Sequence, residues 1–140
     1  MNHITIISCQ SEVIDKWESK SNEFNIHLDN NISVSTISRG CLSILSIMNY
    51  IYMNLNNFPF QILLIDSSKM WALTEFIKYF ENDNTIIETL MNPELIDIYD
   101  LVDSILYTIK YNCNAYLINE NDCNNAIISW KNLYEFIYNN

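Results

Sequence analysis

Phe60-Gln61-Ile62-Leu63-Leu64-Ile65 is the stretch on which the fold turns. Gln61 alone interrupts it. A six-residue segment apolar at five positions, without polar alternation, is the pattern of a parallel strand covered on both faces. Asn56-Asn57 and Pro59 stand before it, and Asp66-Ser67-Ser68 stands after it, so turn-forming residues bound it on both sides. Toward the N-terminus, the segment from Ser38 to about residue 56 carries Leu42, Ile44, Leu45, Ile47, Met48, Ile51, Tyr52 and Leu55. Apolar residues lie nearly all round this helix, which predicts that it is largely buried. Before it, Ile32-Ser33-Val34-Ser35-Thr36-Ile37 reads as a strand, and Asp29-Asn30-Asn31 as a turn. Ser11 is placed to cap a helix running to about Glu23, with Val13, Ile14 and Trp17 at helical spacing. Residues 4–8 (ITIIS) are a further strand.

Toward the C-terminus, residues 68–80 carry Leu73, Phe76, Ile77 and Phe80 on one helical stripe. A short apolar piece, residues 85–91, leads to Asn92-Pro93. Asn is a good N-cap and Pro suits the first helical position, so a helix is predicted from there to Tyr111. Residues 115–118 read as a fourth strand, 119–122 as a loop, and 123–138 as a closing helix. Strands alternating with helices predict the α/β class, with a short, mostly parallel sheet flanked by helices. The 140 residues suit a single domain, 1–140, without linker or internal repeat. At this length about two-thirds of the unfolded chain's surface can be buried.

Composition narrows the function classes. Seventeen acids against seven bases give a net charge of −10. Phosphate backbones are repelled by such a chain, so the expectation is no nucleic acid and, if there is a protein partner, a basic one. The longest apolar runs are far too short to span a bilayer, so no membrane association is expected. Met1-Asn2-His3-Ile4 shows no basic leader pattern, which predicts a cytoplasmic location. Cys9, Cys41, Cys113 and Cys123 show no C-x-x-C spacing and read as reduced thiols; neither a metal nor another cofactor is expected. An abbreviated sheet leaves edges that tend to pair, so a homo- or hetero-oligomer is open.

The candidate for chemistry is Ser38. Arg39 is the only arginine and Gly40 the only glycine, and both follow Ser38 where a strand meets a helix. A hydroxyl at such a turn projects from the sheet end beside a positive helix terminus. The backbone N–H after it is placed to serve an oxyanion. Gly40 permits close helix packing. A plain reading stands beside this one: Ser38 as a helix N-cap. Arg39 is either a solvated side chain or a contact for an anionic ligand. Asp122 is either the cap of the last helix or an acid that orients a base.

Thr36-Ile37-Ser38-Arg39-Gly40 resembles the G-x-S-x-G nucleophile elbow of the α/β-hydrolase family, with Thr36 in place of the first Gly. Leu64-Ile65-Asp66 is similar to the strand end after that elbow, and residues 115–122 to the penultimate strand with its acid-bearing loop. The resemblance implies acyl transfer or ester hydrolysis through Ser38, Asp122 as the acid, and Arg39 and Gly40 beside the substrate. No His follows Asp122, so the family's closing base has no counterpart there. The alternatives are an enzyme or a pseudoenzyme that kept the scaffold. Residues 32–40 and the helix after them also resemble the nucleophile region of thiolase-like ketoacyl synthases, with Ser38 in place of the Cys. His3 reads as incidental, His27 as a base only if folding brings it to Ser38, and Cys41 as a core thiol. Glu94, Asp97, Asp100 and Asp103 form an acidic helical stripe, either a solvated face or a docking surface. A small acidic protein that binds a basic partner, as an inhibitor or immunity protein does, is therefore the second function class.

Overall fold

The computed structural model describes residues 2–24, 32–37, 46, 49, 51–53, 57–58, 60–68, 77–78, 85–90, 97–112 and 120–139. Four strands are found there: β1 (His3–Cys9), β2 (Ile32–Ile37), β3 (Phe60–Asp66) and β4 (Ile86–Leu90). Three helices accompany them: α1 (Ser11–Phe24), α2 (Ile98–Asn112) and α3 (Glu120–Asn139). The sheet order is β2-β3-β1-β4, and every pair is parallel. His3 pairs with both Phe60 and Ile86, and Ile32 also pairs with Phe60, so all four strands begin at one edge and end at the other.

Register partners in a parallel sheet share a face, and successive residues alternate faces. One face carries Ile7, Cys9, Ile32, Phe60, Ile62 and Leu64. They pack with Val13, Ile14 and Trp17 of α1 and with α2 and α3 side chains such as Leu101, Ile105 and Trp130. The Trp17 and Trp130 rings stack at 4.7 Å with 19° between their planes, joining α1 to α3. The opposite face carries Ile4, Ile6, Leu63 and Ile65, all of them buried. Both central strands are therefore covered on two sides, as the apolar run at β3 requires. Each fully buried Ile, Leu or Phe contributes about 1.5–3 kcal/mol on transfer from water.

Gln61 is the exception within β3. It is fully buried, and neither its amide oxygen nor its nitrogen finds a hydrogen-bond partner among the described residues. An orphaned buried polar group costs about 1–3 kcal/mol.

Several sequence expectations are corrected. The fourth strand described is β4, in the stretch read only as a short apolar piece; residues 115–118, expected as that strand, lie outside the described residues. All five β4 side chains are half-buried, because β1 is its only described neighbour. The segment after β2 is helical at Ser46, Asn49 and 51–53, yet it is not buried all round. Ile51 faces the core, whereas Ser46, Asn49, Tyr52 and Met53 are exposed, a spacing of three to four that sets one helical stripe in water. Ser11 does not cap α1. The Gln10 carbonyl accepts the Ile14 N–H at 3.1 Å, which makes Gln10 the cap residue and puts Ser11 inside the helix. The helix expected from Pro93 begins at Ile98 instead. Asp97 caps it, its Oδ1 accepting the Asp100 N–H at 2.9 Å. Asn92 and Pro93 lie outside the described residues.

Candidate functional site at the carboxyl edge of the sheet

The chain leaves β1 toward β2, on the far side of β3, and leaves β3 toward β4, on the far side of β1. Adjacent strands that send the chain in opposite directions make a topological switch point. In open parallel sheets the crevice at the carboxyl ends of such strands is where ligands bind. Here those ends are Cys9 and Asp66, which are register partners.

Asp66 is 4% exposed. Its Oδ2 accepts the Ser11 hydroxyl from the first turn of α1, and its Oδ1 accepts the Ser68 N–H at 3.0 Å. The carboxylate thus ties the start of α1 to the end of β3. Hydrogen bonds to an ionised group are the stronger class, about 1.5–3 kcal/mol each. Cys9 lies beside it, its thiol directed at the Ile7 carbonyl at 3.7 Å. Burial first, and then the neighbouring Asp66 charge, push the Cys9 thiol up to about 12. The thiolate is the reactive form, so Cys9 is not a nucleophile at neutral pH. At the end of β2 the Thr36 hydroxyl donates to the Glu18 carboxylate, a second tie from the sheet edge to α1.

The sequence candidates fall as follows. Ser38, Arg39 and Gly40 lie outside the described residues. The strand before them ends at Ile37, whose register partner is Ile65; Ser38 follows the first as Asp66 follows the second. Asp122 is the third residue of α3, within its first turn, not in a loop after a strand. Helix α3 packs against α2 and α1. His27 lies outside the described residues. His3 is not incidental. It opens β1, fully buried, with its ring 5.1 Å from that of Phe60 and its Nε2 3.6 Å from the Glu88 carboxylate. Burial lowers its pKa, and the Glu88 charge opposes that shift. The seven residues of β1 separate it from the carboxyl edge by roughly 20 Å at about 3.3 Å per residue. His3 therefore cannot serve as a base for a group following Ile37.

Compared with known proteins, the chain matches no family model, no curated protein and no solved structure. The site accordingly rests on topology and local chemistry. Among the described residues no group of three or more His, Cys, Asp or Glu is placed to hold a metal ion, and no helix is long and apolar enough to cross a membrane. Sequence reasoning did not single out Asp66 and Ser11 as a pair. The signal available was an acid closing a buried strand, directly before Ser67-Ser68. An acid there gains meaning only when β1 is known to lie alongside.

Proposed function

We propose that the domain handles acyl groups at the carboxyl edge of its sheet, with Ser38 as the acyl acceptor and Arg39 and Gly40 beside the substrate. The observation that supports this most is the parallel strand β2, which ends at Ile37 on the edge where such sheets present their ligand groups. In the reaction, the Ser38 oxygen attacks the acyl carbon, the bond to the leaving alcohol or thiol breaks, and the hydroxyl proton passes to that leaving group. Water then reverses the sequence for hydrolysis, or a second acceptor takes the acyl group. Asp122 is the acid that the hydrolase resemblance assigns. With His3 at the opposite edge, no histidine among the described residues reaches the carboxyl edge as a base, and serine without a base reacts slowly. The domain is thus a slow acyl-transfer protein. Incubation with a fluorophosphonate probe or an activated acetyl ester, read by intact mass, should yield a slow single adduct that Ser38→Ala abolishes. An adduct that survives in Ser38→Ala, or none after prolonged incubation, refutes the reading.

A second reading is a binding protein for a basic partner. The net charge of −10 favours it, because a concentrated negative field speeds encounter with a positive surface. Its on-rate should fall as salt rises, since exposed charges are screened beyond about 8 Å at physiological ionic strength.

A further inference from the structure

The acidic stripe proves to be only partly available for docking. Glu94 lies outside the described residues, Asp97 is occupied as the α2 cap, and the Asp103 charge acts on the Tyr134 hydroxyl. Asp100, half-buried, has no partner for its carboxylate among the described residues. Below it on the same helix lie Tyr107 and Tyr111, 62% and 68% exposed. Their rings stack at 5.6 Å with 12° between planes, and they touch no other ring among the described residues. Residues 100, 104, 107 and 111 follow the i, i+4, i+7, i+11 pattern of one helical stripe. Leu101, Ile105 and Ile109 fill the opposite side of α2 with core.

We infer that this outer stripe of α2, the stacked Tyr107–Tyr111 pair with Asp100 above it, docks an arginine-bearing segment of a basic protein partner. A stacked pair of exposed tyrosines offers a continuous aromatic face, and Tyr is enriched at interface centres. The occupant follows from charge and shape. A guanidinium lies flat on an aromatic face and forks onto a carboxylate, whereas an ammonium does neither as well. A second copy of this chain would bring another net charge of −10 to the contact, which disfavours self-pairing. The stripe from Asp100 to Tyr111 spans roughly 16 Å at about 1.5 Å per residue, or three helical turns. A partner segment of similar length meets it.

This inference rests on the binding-protein reading, and the experiment separates the two. The probe is a fluorescein-labelled, alanine-based helical peptide with four arginines on one face, titrated with the full chain at low salt and read by anisotropy. Tyr107→Ala with Tyr111→Ala leaves charge unchanged and should weaken binding about tenfold, as loss of two exposed cation–π contacts implies. Asp100→Asn should weaken it by roughly threefold. The lysine version of the peptide should bind less tightly. Tyr52→Ala with Met53→Ala, exposed elsewhere, and Glu12→Gln with Glu23→Gln on α1 should each bind like the parent. If the peptide binds but the α2 variants bind equally well, this surface is refuted and the binding reading survives. If nothing binds at low salt, both fall. If gel filtration shows a dimer that the tyrosine variant dissociates, the occupant is a second copy and the inference is overturned.

Discussion

Replacing Asp66 by Ala tests the switch-point chemistry most directly. The substitution strands two donors, the Ser11 hydroxyl and the Ser68 N–H. Each is part-buried, so water recovers some of what is lost. Two hydrogen bonds to a charged acceptor at about 1.5–3 kcal/mol each, reduced for that recovery, predict a loss of about 2–4 kcal/mol. That is a large share of a typical domain stability of about 5–15 kcal/mol. Urea unfolding followed by tryptophan fluorescence measures it, since Trp17 and Trp130 are both buried. Ser11→Ala alone should cost less, and the double-mutant cycle should return a coupling of about 1–2 kcal/mol between the two positions. The same variant has a second readout. Cys9 is held above its ordinary range first by burial and then by the Asp66 charge, so removing the charge should lower the thiol pKa only in part. The Cys9 peptide should therefore resist alkylation at pH 8 in the parent and react somewhat faster in the variant. A stability change below about 0.5 kcal/mol, with no coupling to Ser11, would refute the account of this carboxylate as the tie between β3 and α1.

Two further predictions concern buried polar side chains. His3 has a folded-state pKa below its ordinary 6.5 because burial disfavours its charged form. The unfolded chain then takes up a proton first as pH falls, so the His3 contribution is complete above about pH 6.5 and is lost as pH drops toward the lowered value. The stability difference between the parent and His3→Gln should be flat above pH 7 and shrink as pH falls below about 6.5, as read by urea midpoints; a difference that grows on acidification would contradict the sign. Gln61→Met keeps the length of the side chain and removes two orphaned polar atoms, so it should raise stability by about 1–3 kcal/mol in thermal unfolding. A loss of more than about 1 kcal/mol would show that the amide is bonded in the native protein.

Much of the sheet was readable from local pattern. Residues 32–37 and the apolar run at β3 announce themselves by β-branched content and flanking turn residues, and α1 by Val13, Ile14 and Trp17. β4 was harder. A charged Glu88 lies between Ile86 and Leu90 on the same face, and a strand with half-buried side chains and one described neighbour shows neither clean alternation nor a continuous apolar run. The cap of α2 was misplaced because Asn92-Pro93 and Asp97 are both sound start signals and only tertiary context chooses between them. The site was the least readable part. Ser38 stands out in sequence because Arg39 and Gly40 are each unique, whereas Asp66 looks ordinary. Its importance comes from strand order, which no local window contains. His3 is kept from the carboxyl edge by the length and direction of β1, at whose first position it stands.

The central place of β1 carries a consequence for how the protein is made. β1 is the first of the four described strands to be synthesised, yet its two neighbours are β3 and β4, paired at Phe60 and Ile86. At about 5–20 residues per second on the ribosome, roughly 4–17 s pass before β4 emerges to complete the pairing. Over that interval the seven-residue His3–Cys9 segment, apolar at most positions, waits with both hydrogen-bonding edges open until β3 emerges and with one open until β4 does. Such topologies close long loops before any contact rewards them and fold slowly. A nascent chain stalled before β4 is therefore the species most in need of a chaperone, and overexpression that outruns chaperone supply should send this protein to inclusion bodies through β1.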